Sequence, residues 1–208
     1  MNCEWQDKIF SVSEAGFQPL ALEVFHFQYQ NNPVYRAFTG ALRVNPAMVD
    51  SLEKIPFLPI SFFKSQEVKT GVFVGDLVFE SSGTTGSAPS RHFVKDTGIY
   101  VKSFMPAFEK NYGPINEYCI IGLLPSYLER KTSSLVFMVN ELIKRSGHSQ
   151  SGFYLDEFEK LKGVLAELEG KKQKTILIGV TFALLDFAEN YPMVLRSEER
   201  RVGKECRL

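Results

Sequence analysis

The sequence predicts an α/β protein, built of layered sheets with flanking helices. Two observations carry this. EYCIIGLL at residues 117–124 and KTILIGV at 174–180 are short apolar runs, as buried strands are. Around them lie stretches whose apolar residues return every three or four positions, the repeat of a helix with one buried face. Such alternation is what an α/β layer architecture requires. A chain of 208 residues with 44% hydrophobic and 13% aromatic content can bury a sizeable core, as one domain or two small ones.

Each element follows from its residues. Leu20, Val24 and Phe27, with Leu22, Phe25 and Tyr29, mark a helix over 17–31, and Pro33 marks its end. Residues 46–54 read as another short helix. IPFLPISFFK, with Pro56 and Pro59, cannot be a helix interior and reads as an extended crossing. It leads to the apolar runs Val72-Phe73-Val74 and Leu77-Val78-Phe79, which can make a buried strand. Asp96 can cap a helix on which Tyr100, Phe104, Phe108 and Tyr112 recur every fourth position, with a kink expected at Pro106 and a stop at Gly113. Leu135, Met138, Val139, Leu142 and Ile143 form the face of a helix that starts after Ser133 and ends before Gly147. Residues 156–169 make a third amphipathic helix, and the strand at 174–180 leads to a helix over 182–189. There is no internal repeat and no low-complexity linker.

Composition narrows the function. Lys plus Arg equals Asp plus Glu at 24 each, so charge favours neither nucleic acid nor an anionic membrane as partner. No apolar run approaches a membrane span, and MNCEWQDKIF lacks the pattern of a leader, so the expected location is cytoplasmic. Cys3, Cys119 and Cys206 are far apart, and the histidines are His26, His92 and His148 alone. Neither a disulfide framework nor a zinc site is indicated.

The character changes after Met193. RSEERRVGKECRL, residues 196–208, has eight charged residues in thirteen and no apolar periodicity. Its first eleven residues are identical to the translation of a sequencing adapter. The stretch is read as a non-native tail, against the alternative of a solvated charged tail, and the native chain is expected to continue beyond Met193. Cys206 falls within it.

The stretch VFESSGTTGSAPSRH, residues 78–92, gives up side-chain bulk for small hydroxyl residues and glycine. Gly83 and Gly86 permit positive φ and close approach of backbone to a ligand. Ser81, Ser82, Thr84 and Thr85 surround the same concavity with rotatable donors, which suits a polyphosphate. It is neither a Walker loop nor a dinucleotide fingerprint nor a nucleophile elbow, since the residues each of those needs are missing. A polar hairpin turn is built from the same residue types and is, on spacing alone, the commoner outcome.

SSGTTG after a strand resembles the phosphate-binding loop of the adenylate-forming, acyl-CoA synthetase-like superfamily. IPFLPISFFKSQEVKTG, FESSGTTGSAPSRHFVKD, GLLPSYLERKTSSLVFMVNELIKRSG, SGFYL and ILIGVTFALLDFAE together resemble the acyl-protein synthetase (long-chain-fatty-acid protein ligase) family of bacterial bioluminescence operons. The resemblance runs from the first helix to Met193. It implies that residues 1–193 are a partial N-terminal adenylate-forming domain. It also implies ATP and Mg²⁺ as cofactors, and a fatty or other carboxylic acid activated to acyl-AMP and passed to a protein thiol or CoA.

By the same resemblance Ser81, Ser82, Gly83, Thr84, Thr85 and Gly86 hold the nucleotide phosphates. The superfamily loop usually closes with Pro-Lys, whereas here Pro89 is followed by Ser90, Arg91 and His92. Arg91 is the candidate cation, and His92 a candidate for orienting substrate or, more simply, a packing residue. Tyr127 is placed near the reacting carboxylate, with Val136 and Phe137 along the acyl chain and Gly179, Val180 and Thr181 as a second wall. Core packing is the plainer role for such apolar residues. The adenine-stacking segment, the ribose-binding Asp and the C-terminal lysine of the superfamily have no counterpart here. A chain without them is expected to be an inactive fragment. The alternatives are a phenylacetate-type acyl-CoA ligase, and a non-catalytic binding module that keeps the fold.

Overall fold

The computed structural model describes residues 3–75, 77–81, 88–124 and 132–195. Among them are eight α-helices: α1 Cys3–Phe10, α2 Glu14–Asn31, α3 Pro33–Ala41, α4 Phe62–Ser65, α5 Thr97–Tyr112, α6 Ser134–Ser146, α7 Phe158–Gly170 and α8 Thr181–Asn190. The five strands are β1 Leu77–Glu80, β2 Arg91–Val94, β3 Tyr118–Leu123, β4 Gly152–Phe153 and β5 Lys174–Gly179. The protein is mixed α/β with two small sheets, β1-β2 and β4-β3-β5. The chain forms two compact units, Met1–Ser103 and Phe104–Leu208, with α5 running across the boundary.

The first unit is tied together by caps and rings. The Ser13 hydroxyl accepts from the Gly16 amide at 3.2 Å, so α2 starts at Glu14, earlier than its apolar periodicity begins. Pro33 is not simply a stop. Asn32 caps a new helix by accepting from the Tyr35 amide at 3.1 Å, and Pro33 stands in its first turn, where a missing N–H costs nothing. Phe25, Tyr35 and Val49 form the buried centre of this unit, with Leu22, Tyr29, Phe38, Val44, Ile55 and Leu58 packed against it. The Tyr35 hydroxyl donates to the Pro56 carbonyl at 2.8 Å, which anchors the proline-rich crossing. Residues 46–54 form two 3₁₀ turns, Pro46–Met48 and Leu52–Lys54, rather than one helix. Asn45 caps the first by accepting from the Ala47 amide.

Val72 and Val74 correct the sequence expectation of a buried strand. Both are almost fully exposed, and the strand begins only at Leu77. Its partner decides this. β2 pairs antiparallel with β1 from Leu77↔Val94 to Glu80↔Arg91 and ends there, because Asp96 turns the chain into α5 by accepting from the Gly98 amide at 2.8 Å. Asp96 is also held by the Gln6 side-chain amide at 3.1 Å, which links α1 to this cap. α5 continues through Pro106 to Tyr112 and is stopped by Gly113 at φ +92°.

The second unit is a parallel sheet covered on both faces. β3 is central, with β4 on one side and β5 on the other, and both pairings are parallel. Cys119, Ile121 and Leu123 face Leu161, Leu165 and Leu168 of α7 and Ala183 and Phe187 of α8 in one buried cluster. On the opposite face, a Cβ on Gly122 would stand 3.1 Å from Val139 of α6 and 2.6 Å from the Phe153 ring of β4. α6 runs from Ser133, whose hydroxyl accepts from the Val136 amide, to Gly147 at φ +64°, the limits its residues predict. At its far end Ser146 meets Ser151, whose hydroxyl accepts from the Ile120 amide at 2.9 Å and contacts the Cys119 sulfur. Burial pushes the Cys119 thiol up, so it stays a protonated core group. No described helix is long and apolar enough to cross a membrane.

Candidate functional site

Two places gather the residues that the sequence singles out, one in each unit. The first is the mouth of the β1-β2 hairpin. Ser81 and Ser90 close it threefold: the Ser81 amide donates to the Ser90 carbonyl at 3.0 Å, the Ser90 amide donates to Ser81 Oγ at 3.0 Å, and the two hydroxyls lie 3.0 Å apart. The two strand ends are therefore pinned to each other at Ser81 and Ser90. Ser82, Gly83, Thr84, Thr85 and Gly86 lie outside the described residues, while Ser81 is the stem hydroxyl rather than a loose donor.

Alternation along β2 separates the two candidates that follow the loop. Arg91 and Phe93 share one face, and His92 points to the other. The Arg91 guanidinium lies 5.6 Å from the Phe93 ring centre and stands at the stem, beside Ser90. His92 instead stacks on Phe63 at 4.4 Å with the rings 12° from parallel, so its ring is committed to holding α4 on the hairpin. A ligand reaching Arg91 does not meet His92 from the same side. The sequence held no signal for β2, since RHFV runs polar, polar, apolar, apolar without alternating, and only the pairing with LVFE makes it a strand.

The second place is the carboxyl end of the parallel sheet. The chain leaves β3 for β4 on one side and returns to β5 on the other, so the ends of β3 and β5 lie together, with Leu123 opposite Gly179. Open α/β sheets bind ligands at such a reversal of strand order. β5 passes through Gly179 and Val180 directly into α8 at Thr181, which puts the positive end of a ten-residue helix at this edge. α6 packs antiparallel to β3, since Ser146 lies near the start of the strand and Val139 near its end. Val136 and Phe137, in the first turn of α6, are thereby brought to the same edge, and both are half-buried. Tyr127 lies outside the described residues.

Gly179 has a packing reason of its own. A Cβ there would stand 2.9 Å from the Leu123 carbonyl oxygen and 2.9 Å from Leu184, so the close approach of β5 to β3 requires glycine. For an anionic cofactor the residues at the hairpin fit in kind, with hydroxyls and one guanidinium at a fixed stem. For Mg²⁺ the described residues assemble no group of three carboxylate, imidazole or thiol ligands.

No protein-family model, curated protein or solved structure matches the chain.

Proposed function

We propose that the protein activates a fatty or other carboxylic acid with ATP and passes the acyl group to a thiol, as an acyl-protein synthetase does. The reading rests on the resemblance of SSGTTG and its flanks, and one structural observation supports it: Ser81 and Ser90, on either side of that stretch, are bonded to each other at the ends of two paired strands, and Arg91 follows Ser90 on β2. A carboxylate oxygen attacks the α-phosphorus of ATP, the bond to the β-phosphate oxygen breaks, and pyrophosphate leaves. A thiolate sulfur then attacks the acyl carbon and AMP departs. Such chemistry draws mostly on positioning and on donors that neutralise charge.

In this reading Thr84 and Thr85 hold the terminal phosphates and Arg91 takes the place of the lysine that usually closes the loop. Val136, Phe137, Gly179, Val180 and Thr181 line the acyl side. ATP–pyrophosphate exchange dependent on a fatty acid tests it, measured on a chain that also carries the adenine-stacking and C-terminal lysine segments of the superfamily. Thr84→Ala with Thr85→Ala is expected to lower exchange by about 10²-fold or more. Unchanged exchange, or none from the unaltered protein, rejects the proposal. Offering CoA or a protein thiol as acceptor distinguishes the two kinds of ligase.

A further inference from the structure

The second unit leaves one strand edge without the devices that usually close it. An edge strand presents unpaired main-chain N–H and C=O groups, and natural edges are blunted by being very short or by carrying charge or proline. β4, at one side of the parallel sheet, is two residues long. The hairpin strands carry Glu80 and Arg91. β5 is six residues long, has β3 as its one neighbour among the described strands, and from Thr175 to Gly179 holds neither charge nor proline. Its single charged residue, Lys174, is paired with Glu117 at the start of the strand.

Apolar surface accompanies this edge. Ile120 of β3 is fully buried, while Ile176 opposite it on β5, and Ile178 two residues on, are only half-buried. Both lie on the α6 side of the sheet, since Ile178 stands opposite Gly122. On the other side α8, which leaves the end of β5, sends Ala183 and Phe187 into the core but leaves Phe182 60% and Leu185 48% exposed. A main-chain edge is satisfied by another strand, and the sequence of β5 is complementary to itself. Paired antiparallel about Leu177, KTILIGV sets Ile176 against Ile178 twice, Thr175 against Gly179 and Lys174 against Val180, so that no like charges meet. The formal net charge of zero leaves no long-range repulsion between copies.

We infer that the β5 edge is a docking surface for a second copy of this chain, joined antiparallel at β5 about a two-fold axis through Leu177, so that two three-stranded sheets become one. The surface requires no nucleotide and stands apart from the adenylation reading. Sedimentation equilibrium of the 208-residue chain tests it, and a dimer is expected at about 100 µM. Ile178→Lys, which sets an ammonium in the seam against the partner's Ile176, is expected to weaken the dimer about 10-fold or more. Cross-linking reads the register, because opposed residues of an antiparallel pair have Cα atoms about 4.5–5.5 Å apart, within disulfide reach. Under oxidation Leu177→Cys, which meets itself on the axis, is expected to give covalent dimer above the background of the unaltered chain. Thr175→Cys, which meets the partner's Gly179, is expected to give none above it. The unaltered chain and the two cysteine variants decide the matter if Ile178→Lys does not fold. A monomer at that concentration overturns the inference, as does a dimer that a folded Ile178→Lys leaves unchanged or that Thr175→Cys cross-links as well as Leu177→Cys.

Discussion

The two units reach a folded state by different means. In the second, β3 is almost wholly excluded from water, and helices seal it on both faces. In the first, the buried centre is small, and much of the order comes from side chains that hold backbone ends: Ser13, Asn32 and Asp96 at helix starts, Tyr35 on the crossing and Ser81 on the hairpin. Burial of apolar surface is non-directional and grows with area, whereas a cap or stem bond acts at one position only. Substitutions should therefore cost most in the second unit, and the first should respond to the loss of single polar atoms.

The largest effect is expected from Ile121→Ala, which empties the fully buried centre of β3 and should lower stability by about 2–5 kcal/mol. Trp5 is the single tryptophan and lies 5.1 Å from Phe27 in the first unit, so its fluorescence follows that unit while far-UV circular dichroism follows both. In urea unfolding, Ile121→Ala should shift the dichroism transition more than the fluorescence transition. Equal shifts would mean that the units unfold as one and do not differ in what holds them.

Gly122→Ala comes next, with an expected loss of about 1–3 kcal/mol, because the new methyl meets the Phe153 ring and Val139 in a closed layer. A neutral result would show that this layer can give way. Asn32→Ala should cost about 0.5–2 kcal/mol and appear first in the fluorescence transition, since it removes the cap of α3.

Tyr35→Phe is the mildest, at about 0.5–1.5 kcal/mol near neutral pH. It sharpens the comparison through pH. Burial pushes the Tyr35 phenol up to about 12. In the unfolded chain it ionises near its ordinary value of about 10. Below that value both states are neutral and the stabilisation is whole; as pH rises toward about 12 it is lost. Between these limits Tyr35→Phe should show a flatter decline in stability than the unaltered protein, followed by the same fluorescence. Identical slopes would indicate that the phenol is not withdrawn from water.

What could be read in the sequence follows the same division. The limits of α6 were legible because Ser133 and Gly147 act locally and the face of Leu135, Val139 and Leu142 repeats with the helix. β3 and β5 were legible as apolar runs of strand length. α3 was missed because Pro33 reads both as a stop and as a first helical residue, and only the Asn32 cap decides between them. Val72 and Val74 misled for a different reason: an apolar run tells that a strand is possible, and not that a partner reaches it. The candidate site divides likewise. Hydroxyls and glycines at 81–86 were visible as residue types, while the opposite facing of Arg91 and His92 depends on pairing with Glu80 and Phe79.

The sequence by itself determined some local choices: the limits of α6, which runs are apolar enough to be strands, and the residue types at 81–86. These depend on neighbours a few residues away. Tertiary structure alone decided that Ser81 meets Ser90, that β5 returns beside β3 to set Gly179 against Leu123, and that the Lys69 ammonium lies over the Phe93 ring. Those contacts join residues separated along the chain, and they form only where excluding water from both partners outweighs the entropy of bringing them together.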